Sequence, residues 1–76
     1  MERVRLESTS LKSVAYDEET LTLEVEFVEG GIYQYFGVPK EIYEELLNAE
    51  SKGQYYVENI RNDFPYKRVD GSDTEN

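Results

Sequence analysis

The chain has no cysteine and no histidine. Without cysteine there is neither a disulfide framework nor a thiolate metal cluster, and small secreted domains usually depend on one or the other. That absence points to a reducing cytoplasm. Without histidine the commonest general base near neutral pH is missing, and without cysteine so is the most nucleophilic side chain. Zinc loses its two preferred ligand types, and Asp17-Glu18-Glu19 lacks the alternating spacing of a calcium loop. No apolar run approaches the ~20 residues that span a bilayer, and the start, MERVRLESTS, lacks the apolar centre of a signal peptide. Together these absences give the expectation of a soluble, cytoplasmic protein that is not an enzyme and has no metal, cofactor or membrane partner.

At 76 residues the sequence is that of a single domain. A core of this size supplies no more than about 3–5 kcal/mol of net stability and leaves little room for a deep cleft. The adjacent acids Glu18-Glu19 fall in an expected turn, where water solvates both and leaves no reason for a catalytic pair. Thr9-x-x-Lys12 and Ser51-Lys52 are hydroxyl–lysine pairs, but such spacings mean little without a cleft to desolvate the lysine.

A net charge of −9 repels phosphate backbones at long range, yet the charge is unevenly spread. Residues 8–50 hold ten acids against Lys12 and Lys40, for −8. Residues 51–69 hold Lys52, Arg61, Lys67 and Arg68 against Glu58 and Asp63, for +2. Any anion has to meet the C-terminal third. The first seven residues show no clear pattern and the last seven, DGSDTEN, have the composition of a disordered acidic tail, so the domain is expected over 8–69.

Leu11 to Tyr16 suits a short strand that ends at the turn Asp17-Glu18-Glu19-Thr20. In TLTLEVEF, Leu21, Leu23, Val25 and Phe27 alternate with Thr20, Thr22, Glu24 and Glu26, the period-2 pattern of a strand with one buried face. Gly30-Gly31 then turns the chain back into IYQYF. A two-residue loop there would set Val28 against Tyr33 and Glu26 against Tyr35. A three-residue loop, Glu29-Gly30-Gly31, pairs Phe27 with Tyr33 and Val25 with Tyr35, collecting the apolar side chains on one face and leaving Gln34 with the charged one. The second register is the expected one, and it directs both tyrosines towards the core.

Val38-Pro39 opens a helix with proline at its first position, and Ile42, Tyr43, Leu46, Leu47 and Ala49 fall within an arc of about 160°. Ser51 and Gln54 fit a capping box for a second helix with the apolar arc Tyr56, Val57 and Ile60, ended by Phe64-Pro65. Tyr66 to Val69 is a possible short extended segment. The expected fold is therefore α+β: a three-stranded antiparallel meander followed by two helices packed on one face.

The order Ser-x-x-Leu at 8–11, Ser-Val-Ala-Tyr-Asp at 13–17, Leu-x-Val-x-Phe at 23–27, Tyr-x-Tyr at 33–35, Val-Pro at 38–39, Ser-Lys-Gly-x-Tyr-Tyr at 51–56, Ile60-Arg61 and Pro65-Tyr66 resembles the KTSC domain. Ala15 stands where glycine is common in that family, and Tyr56 where phenylalanine is common. The family takes its name from the C-terminus of some lysyl-tRNA synthetases and also occurs as small stand-alone bacterial and phage proteins. It has no assigned activity, and the resemblance implies RNA binding only through that association.

The residues themselves offer one candidate surface. On the second helix Lys52, Tyr55, Asn59 and Asn62 line the side away from Tyr56, Val57 and Ile60, with Arg61 at the margin and Tyr66, Lys67 and Arg68 just beyond. Lysine, arginine, asparagine and tyrosine are the side chains that contact phosphates and stack on bases. A local charge of +2 is small, and a plain solvated helix surface accounts for the same residues. Phe27, Tyr33, Tyr35 and Tyr56 are expected to be structural, Ser51 a cap and Gly53 a packing or turn residue. Two partners stay open: RNA at this surface, or a basic protein on the acidic face from Glu18 through Glu45.

Overall fold

The alternation in TLEVEF builds the strand Thr22–Phe27, and its neighbours extend it into a five-stranded antiparallel sheet. The computed structural model describes residues 1–69, in the order β1 (Glu2–Arg5), β2 (Leu11–Asp17), β3 (Thr22–Phe27), β4 (Ile32–Phe36), α1 (Lys40–Asn48), α2 (Lys52–Asn59) and β5 (Tyr66–Arg68). Spatial and sequence order of the strands coincide. The α+β class holds, but the sheet has five strands rather than three. Residues 1–7, expected as an extension, contain β1, which pairs Val4 with Val14 and Arg3 with Ala15. The extended segment after Pro65 is β5, paired with β4. The expected acidic tail, 70–76, lies outside the described residues.

Directly opposite residues share a face. Val14, Val25 and Tyr33 form one inner row, and Tyr16, Leu23, Tyr35 and Tyr66 another. Against these rows pack Val38, Leu46 of α1 and Ile60 after α2, all 0% exposed. A bulge at Lys12 lets Leu11 and Val14 both point inward, although they stand three apart.

The β3–β4 register differs from the expected one by two residues: Val25 faces Tyr33 and Leu23 faces Tyr35. The connection is three residues long, as expected, but it is Val28-Glu29-Gly30, closed by Phe27 N–H to Gly31 O (3.1 Å) and Gly30 N–H to Phe27 O (3.0 Å). Gly30 and Gly31, at φ +114° and +97°, supply the backbone geometry that side chains resist. Moving a loop by one residue shifts the pairing by two, so the faces stay as expected.

The start of β3 also differs. Leu21, expected on the buried face, has φ +57° and is 41% exposed. It belongs to the turn begun by Asp17, whose Oδ1 accepts from the Glu19 N–H at 3.0 Å. A left-handed leucine costs roughly 1–2 kcal/mol. Leu21→Asn is therefore expected to raise stability by about 0.5–1 kcal/mol in urea denaturation; a loss of stability would show that the exposed leucine contributes more than its backbone costs.

Helix α1 begins differently from expectation, whereas α2 has its expected cap at Ser51 but not the whole capping box. Pro39 is the N-cap of α1 rather than its first residue. The capping box of α2 is half formed: Ser51 Oγ accepts from the Gln54 N–H at 3.3 Å, whereas the Gln54 amide donates to Glu58 Oε2 at 2.9 Å. Helix α2 ends at Asn59, before Phe64-Pro65, and Ile60 is its C-cap. Val57 is 47% exposed, and Tyr55 joins Tyr56 against the core in its place. Gly53 brings α2 onto the loop before β2, where a Cβ would stand 3.1 Å from Ser10 Oγ.

Candidate functional site

The sheet has two unlike faces. The outer one carries Arg3, Ala15, Glu24, Gln34 and Lys67 in one row and Arg5, Ser13, Glu26 and Ile32 in the next. Arg3 donates to Ser13 Oγ (2.7 Å) and pairs with Glu24. Ser13 donates to Glu26 Oε1 (2.8 Å) and Gln34 to Glu24 Oε1 (2.9 Å). Ser13 and Ala15 lie beneath this network, 2% and 1% exposed. Its polar groups are mutually satisfied, and neither row holds an aromatic ring.

The rings gather on the other face, at the β4–β5 side. A groove of about 540 Å³ opens there, lined by Phe27, Tyr33, Tyr35, Tyr56 and Tyr66, with Arg61 and Asn62 from the turn after α2 and Thr9, Ser10, Glu29 and Gly30 at its rim. The rings brace one another: Phe27 meets Tyr33 and Tyr56 edge-on, with centroids 5.6 and 5.3 Å apart. Tyr66 tilts against Tyr33 and Tyr35 at 5.6 and 5.5 Å. The Arg68 guanidinium lies 5.9 Å from the Tyr33 ring centre.

At the groove's inner end the hydroxyls of Tyr35 and Tyr56 share a hydrogen bond. Burial, and then this bond, hold the Tyr35 hydroxyl well above the usual tyrosine value. Tyr35, itself 2% exposed, is thus a neutral donor–acceptor at the base of the groove.

The surface expected on α2 is divided among several places. Lys52 donates to the Ala49 carbonyl at 2.9 Å and lines a shallow surface with Glu50, Ser51, Gly53 and Val57. Tyr55 turns towards α1, where its hydroxyl donates to Glu45 Oε1 at 2.7 Å; burial and this bond push it up to about 12. Asn59 donates back to the Tyr55 carbonyl at 3.2 Å. Lys67 faces the outer side of the sheet opposite Gln34. Arg61, Asn62 and Tyr66 come together in the groove, with Arg68 beside Tyr33.

Phe27, Tyr33, Tyr35 and Tyr56, expected as structure, are packed against the core and also line the groove. Their second role is set by β5, which carries Tyr66 to the edge of β4 through pairing rather than through any repeat in YKR. Thr9, Ser10, Glu29 and Gly30 enter the rim from two turns that no local pattern joins. Among the described residues no cluster of acids stands ready for a metal, and no helix is long and apolar enough to cross a membrane.

Comparison with known proteins agrees with this architecture. A crystal structure of a KTSC domain protein from Yersinia pestis superposes with a TM-score of 0.88 at 32% identity, covering 91% of this chain and 97% of that one. An uncharacterized protein of Stutzerimonas stutzeri is 42% identical over 71 residues, 92% of this chain and 100% of its own length. A lysine–tRNA ligase of Nostoc sp. is 44% identical over 63 residues, 83% of this chain but 11% of the ligase. The sequence model of the KTSC domain matches residues 7–64, and the chain belongs to the KTSC domain family.

Proposed function

We propose that this chain is a non-catalytic RNA-binding accessory domain whose contact surface is the tyrosine groove. The observation that carries the reading is the meeting of Tyr33, Tyr35, Tyr56 and Tyr66 with Arg61 and Asn62 in one concave surface, beside Arg68. Rings give bases a stacking surface, and guanidinium and amide groups contact phosphates and base edges. Arg61 in the groove and Arg68 beside it both come from the part of the chain that is locally positive. A related segment within a lysine–tRNA ligase makes tRNA the first RNA to try. The outer sheet face is a poorer candidate: Glu24 and Glu26 stand among its cations, where they pair with Arg3 and Lys12, and its two rows carry no ring.

Binding is expected to be weak and steeply dependent on salt. Two phosphate contacts on a single strand give a slope of about −1.4, or roughly a sevenfold loss between about 50 and 200 mM salt. An NMR titration of the labelled chain at low salt, with tRNA and in parallel with heparin, tests this. Shifts at Tyr33, Arg61, Asn62 and Tyr66 with tRNA, weakened in Arg61→Glu, are expected. No shift at low salt, or an equal response to heparin at the same residues, would remove the proposal.

A second reading rests on α1, where Glu41, Glu44, Glu45 and Asn48 share one shallow surface. A basic protein partner would dock there by charge. An arginine-rich peptide that shifts α1 amides, with tRNA leaving the groove unmoved, would favour it.

A further inference from the structure

We infer that the groove takes one unstacked base of a single-stranded segment, with Tyr66 as the stacking residue and Arg61 on the adjoining phosphate. This deepens the RNA-binding reading and rests on it.

An aromatic groove suits two kinds of ligand, a cation over the ring faces or a planar base. Here the cation's place at Tyr33 is taken by the protein's own Arg68, 5.9 Å from the ring centre. Arg61 adds a second positive charge to the lining. With Arg68 over Tyr33 and Arg61 in the lining, the ring faces disfavour a cationic ligand and favour a planar one whose phosphate lies away from Glu29, as a nucleotide's can.

Position narrows the choice further. Tyr66 is 57% exposed, yet its ring is set against Tyr33 and Tyr35 at 51° and 34°. It is an outward ring supported from behind by two fixed ones. Its own strand is held at both ends, by Phe36 N–H to Pro65 O (2.9 Å) and Val69 N–H to Ile32 O (2.8 Å). A stacking surface so braced loses little freedom when a base lands on it. Glu29, also in the lining, repels phosphate, so the backbone is assigned to the Arg61 side. Bases inside an A-form helix are stacked and out of reach of a concave site of this size, whereas those of loops and ends can be splayed into it.

The test compares an eight-nucleotide single-stranded RNA with a longer blunt duplex whose stem contains the same sequence and has no loop. It follows tyrosine fluorescence and amide shifts of the intact chain at low salt. The single strand is expected to bind about tenfold more tightly than the stem and to quench tyrosine emission. Tyr66→Ala should weaken the single strand by about tenfold, the usual scale of one stacked base, whereas Tyr66→Trp should retain it. Because Tyr66 is exposed, both variants should keep the wild-type circular dichroism. A stem that binds as well as the single strand, or Tyr66→Ala binding the single strand like wild type, overturns the inference while leaving RNA binding intact. Absence of binding to either RNA overturns both.

Discussion

Replacing Leu46 by alanine is expected to leave most of the chain unfolded at room temperature. Leu46 is the wholly buried residue of α1, at 0% exposure, and it packs in one cluster with Leu23, Val25, Val38 and Ile60. Deleting such a side chain removes its transfer free energy and leaves a cavity, together about 2–5 kcal/mol. A core of this size holds only about 3–5 kcal/mol in total. The other ties of α1 are peripheral: the Tyr16–Tyr43 ring stack at 4.8 Å, the exposed Lys40–Glu18 pair at 3.0 Å and the Tyr55 bond to Glu45 at 2.7 Å. Its N-cap, Pro39, makes no side-chain hydrogen bond, and a nine-residue helix is marginal alone. Ile42, Tyr43 and Leu47 touch the cluster only as partly buried residues. Urea denaturation followed by circular dichroism measures the loss. A Leu46→Ala chain within about 1 kcal/mol of wild type would show that α1 is held by its rim rather than by this one side chain.

Which side of each strand faces the helices is legible because side chains alternate with period two. The β3–β4 loop sits one residue earlier than expected and the register moves by two, yet Tyr33 and Tyr35 still face the core and Gln34 still lies on the charged face, where its partner is Glu24 rather than Glu26. The number of strands is not legible in the same way. ERVR and YKR are too short to show alternation, and each becomes a strand only because a neighbour supplies its hydrogen bonds. This hides the site as well. Along a loop Tyr66, Lys67 and Arg68 are neighbours, but along a strand Lys67 goes to the opposite face. The +2 segment is thereby divided, and a groove forms from rings that the pattern had assigned to the core. Tyr55 and Val57 exchange roles for a related reason. The α1 surface, with Glu45 as acceptor, draws Tyr55 inward, and nothing in α2 alone announces that partner.

The second large effect is expected at alkaline pH. Tyr35 is raised well above the ordinary tyrosine value by burial and then by its bond to Tyr56, and Tyr55 is pushed up to about 12 by burial and by Glu45. In the unfolded chain both titrate near 10. Below that pH both are neutral in either state and the stability is fully present. Above it the unfolded chain releases protons that the folded chain retains, so each further pH unit costs about 1.4 kcal/mol at Tyr35. Tyr55 adds a smaller loss that ends near its folded value of about 12, because water reaches part of its ring. Set against about 3–5 kcal/mol of stability, the sum unfolds the domain by roughly pH 12. Far-ultraviolet circular dichroism should therefore be lost in one cooperative step, together with the part of the rise in tyrosinate absorbance that belongs to Tyr35 and Tyr55. Tyr35→Phe separates the causes. It should cost about 1 kcal/mol at neutral pH by leaving the Tyr56 hydroxyl without its partner, yet flatten the alkaline slope, since the most strongly raised group is gone. If Tyr35→Phe leaves that slope unchanged, the hydroxyl pair at the base of the groove does not set the alkaline limit of the fold.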